Sequence, residues 1–189
     1  MKKTLVLIAW LCSVSFLSAQ TAIDYQVDVN RSKLDWDAKK VVGGHVGVIN
    51  LKDGAVKVDG GKLTGGSFVI DMTSLVCTDT ERVTAHLKNE DFFDVEKFPH
   101  ATFVITNVNN ANASAPIITG KLTIKGITKD ISFPATVSAS GDTFSAQATT
   151  KVNRLDYDIR FRSSSFFADL GNRAIEDEFT LNINLVAVK

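Results

Sequence analysis

The sequence predicts an all-β domain built from antiparallel sheet, either a sandwich or a closed barrel. The first observation is strict alternation of apolar and polar residues, clearest in Phe144–Val152 and Phe179–Leu185. A period of two gives each strand one dry face and one wet face. The second observation is a series of closely spaced turn sequences such as Asp59-Gly60-Gly61 and Ser140-Gly141-Asp142. Together they favour antiparallel sheet over the parallel sheet of α/β enzymes.

Strand periodicity recurs along most of the chain. Further turns are predicted at Lys52-Asp53-Gly54 and Gly65-Gly66, since these residues tolerate turn conformations. The strands are predicted at Tyr25–Val29, Leu34–Lys40, Val46–Leu51, Ala55–Val58, Ser67–Met72, Ala101–Val108, Gly120–Lys125, Ile131–Ala139, Phe144–Val152 and Phe179–Leu185.

One segment departs from strand periodicity. Val83 and Leu87 have helical spacing, and Thr78 or Asp79 precedes them as a candidate N-cap, so a short helix is predicted over residues 80–88. Residues 163–174 are predicted to form a loop with a single helical turn at most.

The N-terminus carries the pattern of an export signal. Met1-Lys2-Lys3 is basic, residues 4–16 are apolar, and Ser18-Ala19 provides a small-residue cleavage site. We therefore predict a signal peptide over residues 1–19 and one domain over residues 20–189. After residue 19 no apolar run approaches the roughly 20 residues that a membrane-spanning helix needs, so the expected mature protein is soluble and exported.

The charge balance argues against nucleic acid as a partner. The chain has 21 basic and 21 acidic residues, and loss of the signal would leave 19 basic against 21 acidic. A protein that binds a polyanion needs a surplus of Lys and Arg.

The sequence offers little catalytic or metal-binding chemistry. His45, His86 and His100 fall in no close-spaced ligand motif, so no metal site is predicted. Cys12 lies in the predicted signal, and Cys77 is predicted to be a packing residue rather than a nucleophile.

Two charged groups have alternative interpretations. Arg154 and Asp156 would share one face of a strand, either as an ion pair at the surface or barrel rim, or as a polar contact at a pocket mouth. Residues 176–178, Glu-Asp-Glu, are interpreted as the solvated start of a strand.

Several motifs resemble the YceI-like family. The most specific is residues 85–103, AHLKNEDFFDVEKFPHATF, and the resemblance continues at residues 120–129, 153–157 and 177–179. The family often has Asp-Phe-Gly-Ile where this chain has Asp156-Tyr157-Asp158-Ile159. The resemblance implies an eight-stranded antiparallel lipocalin-like barrel with one short helix, usually in the bacterial periplasm. It also implies a long apolar ligand in the barrel lumen: a polyisoprenoid, an isoprenoid quinone, or a fatty amide or acid.

Strand parity then predicts which side chains line the lumen. Val83, Leu87, Phe166 and Phe167 are expected to close one end, and Arg154 is the polar candidate at the mouth. No cofactor is predicted beyond a bound lipid or isoprenoid. The predicted lining residues are Trp36, Phe68, Ile70, Phe103, Ile105, Leu122, Ile124, Phe133, Phe144, Leu181 and Ile183.

Two other functions compete with lipid binding. A lipid-modifying enzyme would have to use His45, His86 or Asp156, which are the candidate acid–base groups. A scaffold for a membrane redox partner would have a solid core and an exposed apolar patch. The expected partner is a small apolar or amphiphilic molecule. The sequence is also compatible with transient contact with a membrane or a membrane protein, and with a homodimer.

Overall fold

A computed structural model describes residues 22–189, so the predicted signal peptide over residues 1–19 lies outside the described residues. Within that range no helix is long and apolar enough to cross a bilayer. One α-helix, α1, spans Glu81–Lys88. The strands are β1 Ile23–Val27, β2 Lys33–Lys40, β3 Gly44–Asp59, β4 Lys62–Cys77, β5 His100–Asn109, β6 Ile117–Ile124, β7 Ile127–Ser140, β8 Thr143–Asn153 and β9 Ile175–Val188.

The nine strands close into an eight-position antiparallel barrel. From β2 to β9 each strand pairs with the next, and β9 pairs back onto β2. Strands β1 and β2 share one position, because both lie between β3 and β9 in the same direction. A turn separates them, in which the amides of Arg31 and Ser32 donate to the Asp28 carbonyl. The predicted all-β, eight-stranded barrel with one short helix is confirmed.

Two predicted turns are wrong, because the residues lie inside long strands. Lys52-Asp53-Gly54 falls within β3, where the register with β4 shifts between Leu51 and Asp53. A Cβ at Gly54 would lie 2.9 Å from the Phe68 ring, so glycine is needed there for close packing rather than for a turn. Gly65-Gly66 likewise belongs to β4, which is one continuous strand of 16 residues.

Other predicted turns lie where the glycines indicated. Gly60 and Gly61 connect β3 to β4 with φ of 55° and 75°. Two successive residues with positive φ form the hairpin turn that matches the twist of the flanking strands. Gly141, with φ of 57°, lies between β7 and β8.

The helix α1 lies where predicted, but its N-cap is neither of the two predicted residues. Thr80 is the N-cap, and its side chain makes no capping hydrogen bond. Asp79 does not cap the helix, because its carboxylate is hydrogen-bonded to the side chains of His45 and Cys77. Thr84 ties α1 to the end of β4, since its Oγ1 accepts from the Cys77 amide at 2.8 Å.

Candidate functional site

The barrel interior contains two adjoining apolar chambers. The upper chamber, beneath α1, has a volume of about 110 Å³. The lower chamber, toward the β3–β4 hairpin, has a volume of about 90 Å³. The walls of both chambers share one ring of five side chains, so the chambers are successive parts of one lumen. The shared side chains are Leu34, Ile70, Leu122, Val152 and Leu181.

The lumen is elongated along the barrel. On β9 its lining residues run from Ile175 in the upper chamber to Leu185 in the lower. Ten residues of strand measure about 33 Å at roughly 3.3 Å per residue. With the usual strand tilt of about 35–45°, the lumen extends about 25 Å along the barrel axis.

Several inward-facing apolar side chains are only half-buried, although parity directs them away from bulk water. Phe68, Phe103, Ile105, Leu181 and Ile183 all belong to this class and all line the lumen. Their partial exposure is therefore to the empty interior. A close-packed protein core leaves few voids of this kind, so this barrel is incompletely filled by its own side chains.

The structure places thirteen of the sixteen predicted site residues on the lumen wall. All eleven residues chosen from strand parity are among them, together with Leu87 and Arg154. Those on the upper chamber are Trp36, Ile70, Leu87, Leu122, Ile124, Arg154 and Leu181. Those on the lower chamber are Phe68, Ile70, Phe103, Ile105, Leu122, Phe133, Phe144, Leu181 and Ile183.

Three predicted site residues do not line the lumen. Phe166 and Phe167 are each 49% exposed. Their amides bond to the Ser163 carbonyl, and the Arg160 guanidinium lies 4.6 Å from the Phe166 ring centroid. The loop thus turns these rings outward, so they do not close the barrel. Val83 packs on the core but lines neither chamber.

Arg154 is the polar group that organises the upper chamber. The residue is only 4% exposed. It does not lie on a strand, because residues 154–157 form a 3-10 turn after β8. Its guanidinium donates at 2.8–3.0 Å to four backbone carbonyls on two chain segments. These carbonyls belong to Ile159, Phe161, Ile175 and Glu176.

The carboxylate partner of Arg154 is Asp177, not Asp156. The Nη2–Oδ1 distance to Asp177 is 3.3 Å, and Ser165 donates to the other oxygen of Asp177 at 2.6 Å. Burial lowers the pKa of Arg154, and the charge of Asp177 opposes that shift. The predicted Arg154–Asp156 pair is wrong because it assumed strand geometry. Asp177 is a partner of a buried cation rather than part of a wholly solvated strand start.

Asp158 ends the 3-10 turn in a left-handed conformation with φ of 59°. Glycine adopts this conformation without strain, and Asp is among the residues that tolerate it. The Asp158 amide donates to the carbonyls of Arg154 and Leu155. The chain therefore keeps the turn at this position although it lacks glycine.

The predicted set of lining residues lacks part of the upper wall. Phe92, Phe93 and Ile159 line this chamber but come from irregular segments, which have no periodicity to reveal their direction. Glu176, an exposed residue at the start of β9, reaches the rim of the same chamber.

The candidate acid–base residues lie away from the lumen wall. His45 contacts the Asp79 carboxylate at 3.0 Å. His86 contacts Asp91 at 3.1 Å, and its ring meets Phe92 and Phe161 edge-on. Neither histidine nor Asp156 lines either chamber.

Known proteins are similar to this chain in sequence and fold. A UPF0312 protein of Pseudomonas fluorescens is 30% identical over 171 residues, covering 85% of this chain and 88% of that protein. The crystal structure of Burkholderia cenocepacia BcnA superposes with a TM-score of 0.72 at 25% identity, covering 86% of this chain and 99% of BcnA.

A polyisoprenoid-binding domain from Saccharophagus degradans shares the fold with a TM-score of 0.63 at 15% identity, covering 87% of this chain and 97% of that domain. The model of the YceI-like domain matches residues 25–187, which include every strand from β2 to β8, three of the five residues of β1 and all of β9 except its last residue. The chain belongs to the YceI-like family.

Proposed function

We propose that this protein binds one long apolar molecule in the barrel lumen, and that it carries or stores this molecule in the bacterial periplasm. The observation that carries the proposal is the pair of adjoining apolar chambers, which together extend about 25 Å by strand geometry and are lined by side chains from all eight positions of the barrel. An engineered cavity of about 150 Å³ with similar Leu, Ile and Phe walls stays dry and binds benzene.

Burial of an apolar chain contributes a large part of the binding free energy without any hydrogen bond. Each methylene that leaves water contributes roughly 0.8 kcal/mol, so ten methylenes contribute about 8 kcal/mol. The loss of translational, rotational and chain freedom offsets several kcal/mol of this. Binding in the micromolar range, which needs about −8 kcal/mol, therefore requires a ligand with considerably more than ten buried carbons.

The lumen is suited to selecting length and shape rather than a headgroup. Among residues 22–189, Arg154 is the one Lys or Arg on the wall. Its guanidinium nitrogens already donate to four carbonyls and Asp177. It therefore has little capacity left to recognise a headgroup. A polar end is best placed at the upper rim near Glu176, where water is accessible.

Polyisoprenoids, isoprenoid quinones and fatty amides or acids all meet these requirements. The polyisoprenoid-binding domain of Saccharophagus degradans has the same fold, which makes an isoprenoid the first ligand to test. Periplasmic residence is inferred from the signal-like sequence of residues 1–19.

The two rival functions have less support. An enzyme would need a convergent acid–base pair at the lumen, whereas His45, His86 and Asp156 lie off its wall. A pure scaffold would have a solid core, whereas this barrel has two chambers among its described residues.

The test is a matched pair of tryptophan substitutions. Leu122→Trp places a large ring in the side-chain ring shared by the two chambers. Val104→Trp places the same ring on the exposed outer face of the adjacent strand β5. We expect Leu122→Trp to weaken binding of a fluorescent fatty acid and of a prenyl probe by at least about tenfold, the equivalent of 1.4 kcal/mol, and Val104→Trp to leave binding unchanged.

Circular dichroism and a thermal melt verify that both variants fold. Equal probe affinity in a folded Leu122→Trp variant and the parent protein would exclude the lumen as the binding site. Native mass spectrometry of the freshly purified protein then identifies any co-purified ligand, and a covalent change in that ligand on incubation would favour the enzyme alternative.

A further inference from the structure

The upper rim of the barrel carries a group of three side chains that the lipid-binding proposal does not use. His45, Cys77 and Asp79 each offer one donor atom, and these atoms lie within 4.8 Å of one another. Within residues 22–189 this is the one such group of three found among histidine, cysteine and acidic side chains.

The strand register brings these residues together. Gly47 on β3 pairs with Cys77 on β4, and the Thr78 amide continues the ladder by donating to the Val46 carbonyl. The same register places Asp79 opposite His45. Alternate residues share a face, so Cys77 and Asp79 point to the same side as His45.

That shared face is the inner one. Cys77 is buried, His45 is half-buried and Asp79 is exposed, so the group runs from the interior out to the rim. The gradient gives an ion a path from solvent to a partly desolvated position. It also explains how polar inward-facing side chains are tolerated, because the barrel wall ends there.

Hydrogen bonds already hold the side chains of His45, Cys77 and Asp79 close together. The Cys77 Sγ donates to Asp79 Oδ1 at 2.6 Å, and His45 Nδ1 lies 3.0 Å from Asp79 Oδ2. In a tetrahedral zinc site with bonds of about 2.0–2.3 Å, the donor atoms are about 3.5 Å apart. The contacts of Asp79 with Cys77 and His45 are shorter than this, so Asp79 must move away from both groups to admit an ion.

We propose that His45, Cys77 and Asp79 bind a Zn²⁺ ion, with the fourth coordination position left for water or an added ligand. Thiolate, imidazole and carboxylate are the three side-chain ligands that zinc uses in proteins. A dication between one thiolate and one carboxylate is electrically neutral, which favours binding at a partly buried position.

The proton balance of this step is defined. The Cys77 thiol loses its proton to solvent when sulfur binds the metal. Nδ1 of His45 becomes a ligand, so the proton that it shares with Asp79 moves to Nε2. Lys40, whose Nζ lies 3.2 Å from Nε2, must then swing away because both groups would be donors.

Lys40 provides a variant that should tighten binding. A metal-bound histidine usually donates its other N–H to a carboxylate or carbonyl, and loss of such an outer partner costs about 10–100-fold in affinity. Lys40→Glu supplies the missing acceptor, so we expect the dissociation constant for Zn²⁺ to fall by about tenfold.

The experiment measures Zn²⁺ affinity and stoichiometry by competition with a chromophoric chelator, on protein purified without a polyhistidine tag. We expect one Zn²⁺ per chain, and at least about 100-fold weaker binding in Asp79→Asn and in His45→Gln. Asp79 is exposed, so its substitution should not unfold the barrel. Loss of a side chain that binds the metal directly should weaken zinc affinity more than loss of a group that only hydrogen-bonds to a ligand.

The matched control is His86→Gln, which removes an equivalent histidine–aspartate pair, His86–Asp91 at 3.1 Å, that lacks a thiol. We expect it to leave zinc affinity unchanged. Co²⁺ in place of Zn²⁺ should give a thiolate-to-metal charge-transfer absorption that Cys77→Ser abolishes.

Absence of stoichiometric binding in the parent protein would overturn the proposal. So would equal affinity in Asp79→Asn and His86→Gln, since the ion would then bind elsewhere. Neither result bears on lumen binding, which the tryptophan variants test separately.

Discussion

The two chambers of the lumen are built differently. The lower chamber is lined by strand residues alone. The upper chamber takes part of its wall from α1, from the segment after it and from the 3-10 turn at Arg154. The lower wall therefore depends on backbone ladders and parity, whereas the upper wall depends on a few side-chain hydrogen bonds that hold irregular chain in place.

Because of this difference, we expect single substitutions to disrupt the structure of the upper chamber more than that of the lower chamber. Arg154 donates to carbonyls in the segment after the 3-10 turn and at the start of β9, so one side chain joins the two segments. Where the lower chamber meets the β3–β4 hairpin, backbone pairing extends to Asp59 and Lys62, with one register shift between Lys57 and Val58.

The largest effect is expected from Arg154→Met. The substitution keeps an apolar stem but leaves four carbonyls without this donor and the Asp177 carboxylate without its cation. Removing one partner of a buried ion pair costs about 3–5 kcal/mol, so we expect a loss of that size in the free energy of unfolding. Denaturant titration followed by tryptophan fluorescence measures it.

Arg160→Met is the control, because Arg160 and its partner Asp158 are both more than half exposed. Surface ion pairs contribute about 0–1 kcal/mol. Similar losses in the two variants would contradict the central role of Arg154 in the upper chamber.

A second comparison uses two glycines that each face a lining ring, since Gly47 lies against Trp36 of the upper chamber and Gly120 against Phe103 of the lower chamber. A Cβ at Gly47 would overlap the Val76 carbonyl and the Trp36 ring, and a Cβ at Gly120 would overlap the Phe103 ring and come within 2.6 Å of the Val104 carbonyl. Overpacking costs about 1–3 kcal/mol. We expect the loss of stability in Gly47→Ala to be at the upper end of that range. The new Cβ would overlap most with a backbone carbonyl, which cannot rotate away as a side chain can.

Gly120→Ala should cost less, because the Phe103 ring lines the lower chamber and can tilt into its free space. Thermal melts of the two variants test this order. A larger loss in Gly120→Ala would mean that the lower chamber is more rigid than its empty volume implies.

The third prediction concerns Tyr157, which is buried at the end of the 3-10 turn that begins at Arg154. Burial, with a smaller contribution from Asp156, raises the pKa of Tyr157 from 10.0 to about 12. The folded state thus holds the phenolic proton more tightly than the unfolded state does. The stabilisation is complete below pH 10 and is lost as the pH rises toward about 12, at a cost of roughly 2 kcal/mol.

Tyr157→Phe should remove this dependence on pH. Near pH 7 it should change stability by less than about 1 kcal/mol, because the buried hydroxyl has no hydrogen-bond partner among the described residues. Unfolding midpoints at pH 7 and pH 11 measure both effects, and an equal alkaline loss in parent and variant would contradict the assignment to Tyr157.

The contrast between regular strands in the lower chamber and irregular segments in the upper chamber also explains which lining residues could be predicted from the sequence. Every lower-chamber residue that parity selected lies on the wall, from Phe68 to Ile183, because inward direction on a strand follows from position alone. Alternation could not show that the strand continues through Lys52-Asp53-Gly54. Residues that form turns also occur at β-bulges and at positions where a neighbouring side chain packs against the backbone.

The upper chamber required information that local pattern does not contain. The partner of Arg154 is Asp177, which lies 23 positions away and becomes its neighbour only through the fold. The metal-ligand group has the same origin, because His45 and Asp79 are 34 positions apart and meet through strand register. Spacing in the sequence therefore gave no sign of either.

The smallest effect is expected from the exposed pair Phe166 and Phe167, which the sequence placed at the closed end of the barrel. The double substitution Phe166→Ser/Phe167→Ser should change the free energy of unfolding by less than about 0.5 kcal/mol, as is usual at exposed positions. It should also leave the affinity for a fluorescent fatty acid unchanged. Phe93→Ser is the matched comparison, since Phe93 is half-buried and lines the upper chamber. There the same change should weaken probe binding by at least about tenfold, or 1.4 kcal/mol. If the double substitution weakens probe binding while Phe93→Ser does not, the loop rather than the segment after α1 covers the ligand, and the upper chamber closes from the opposite side.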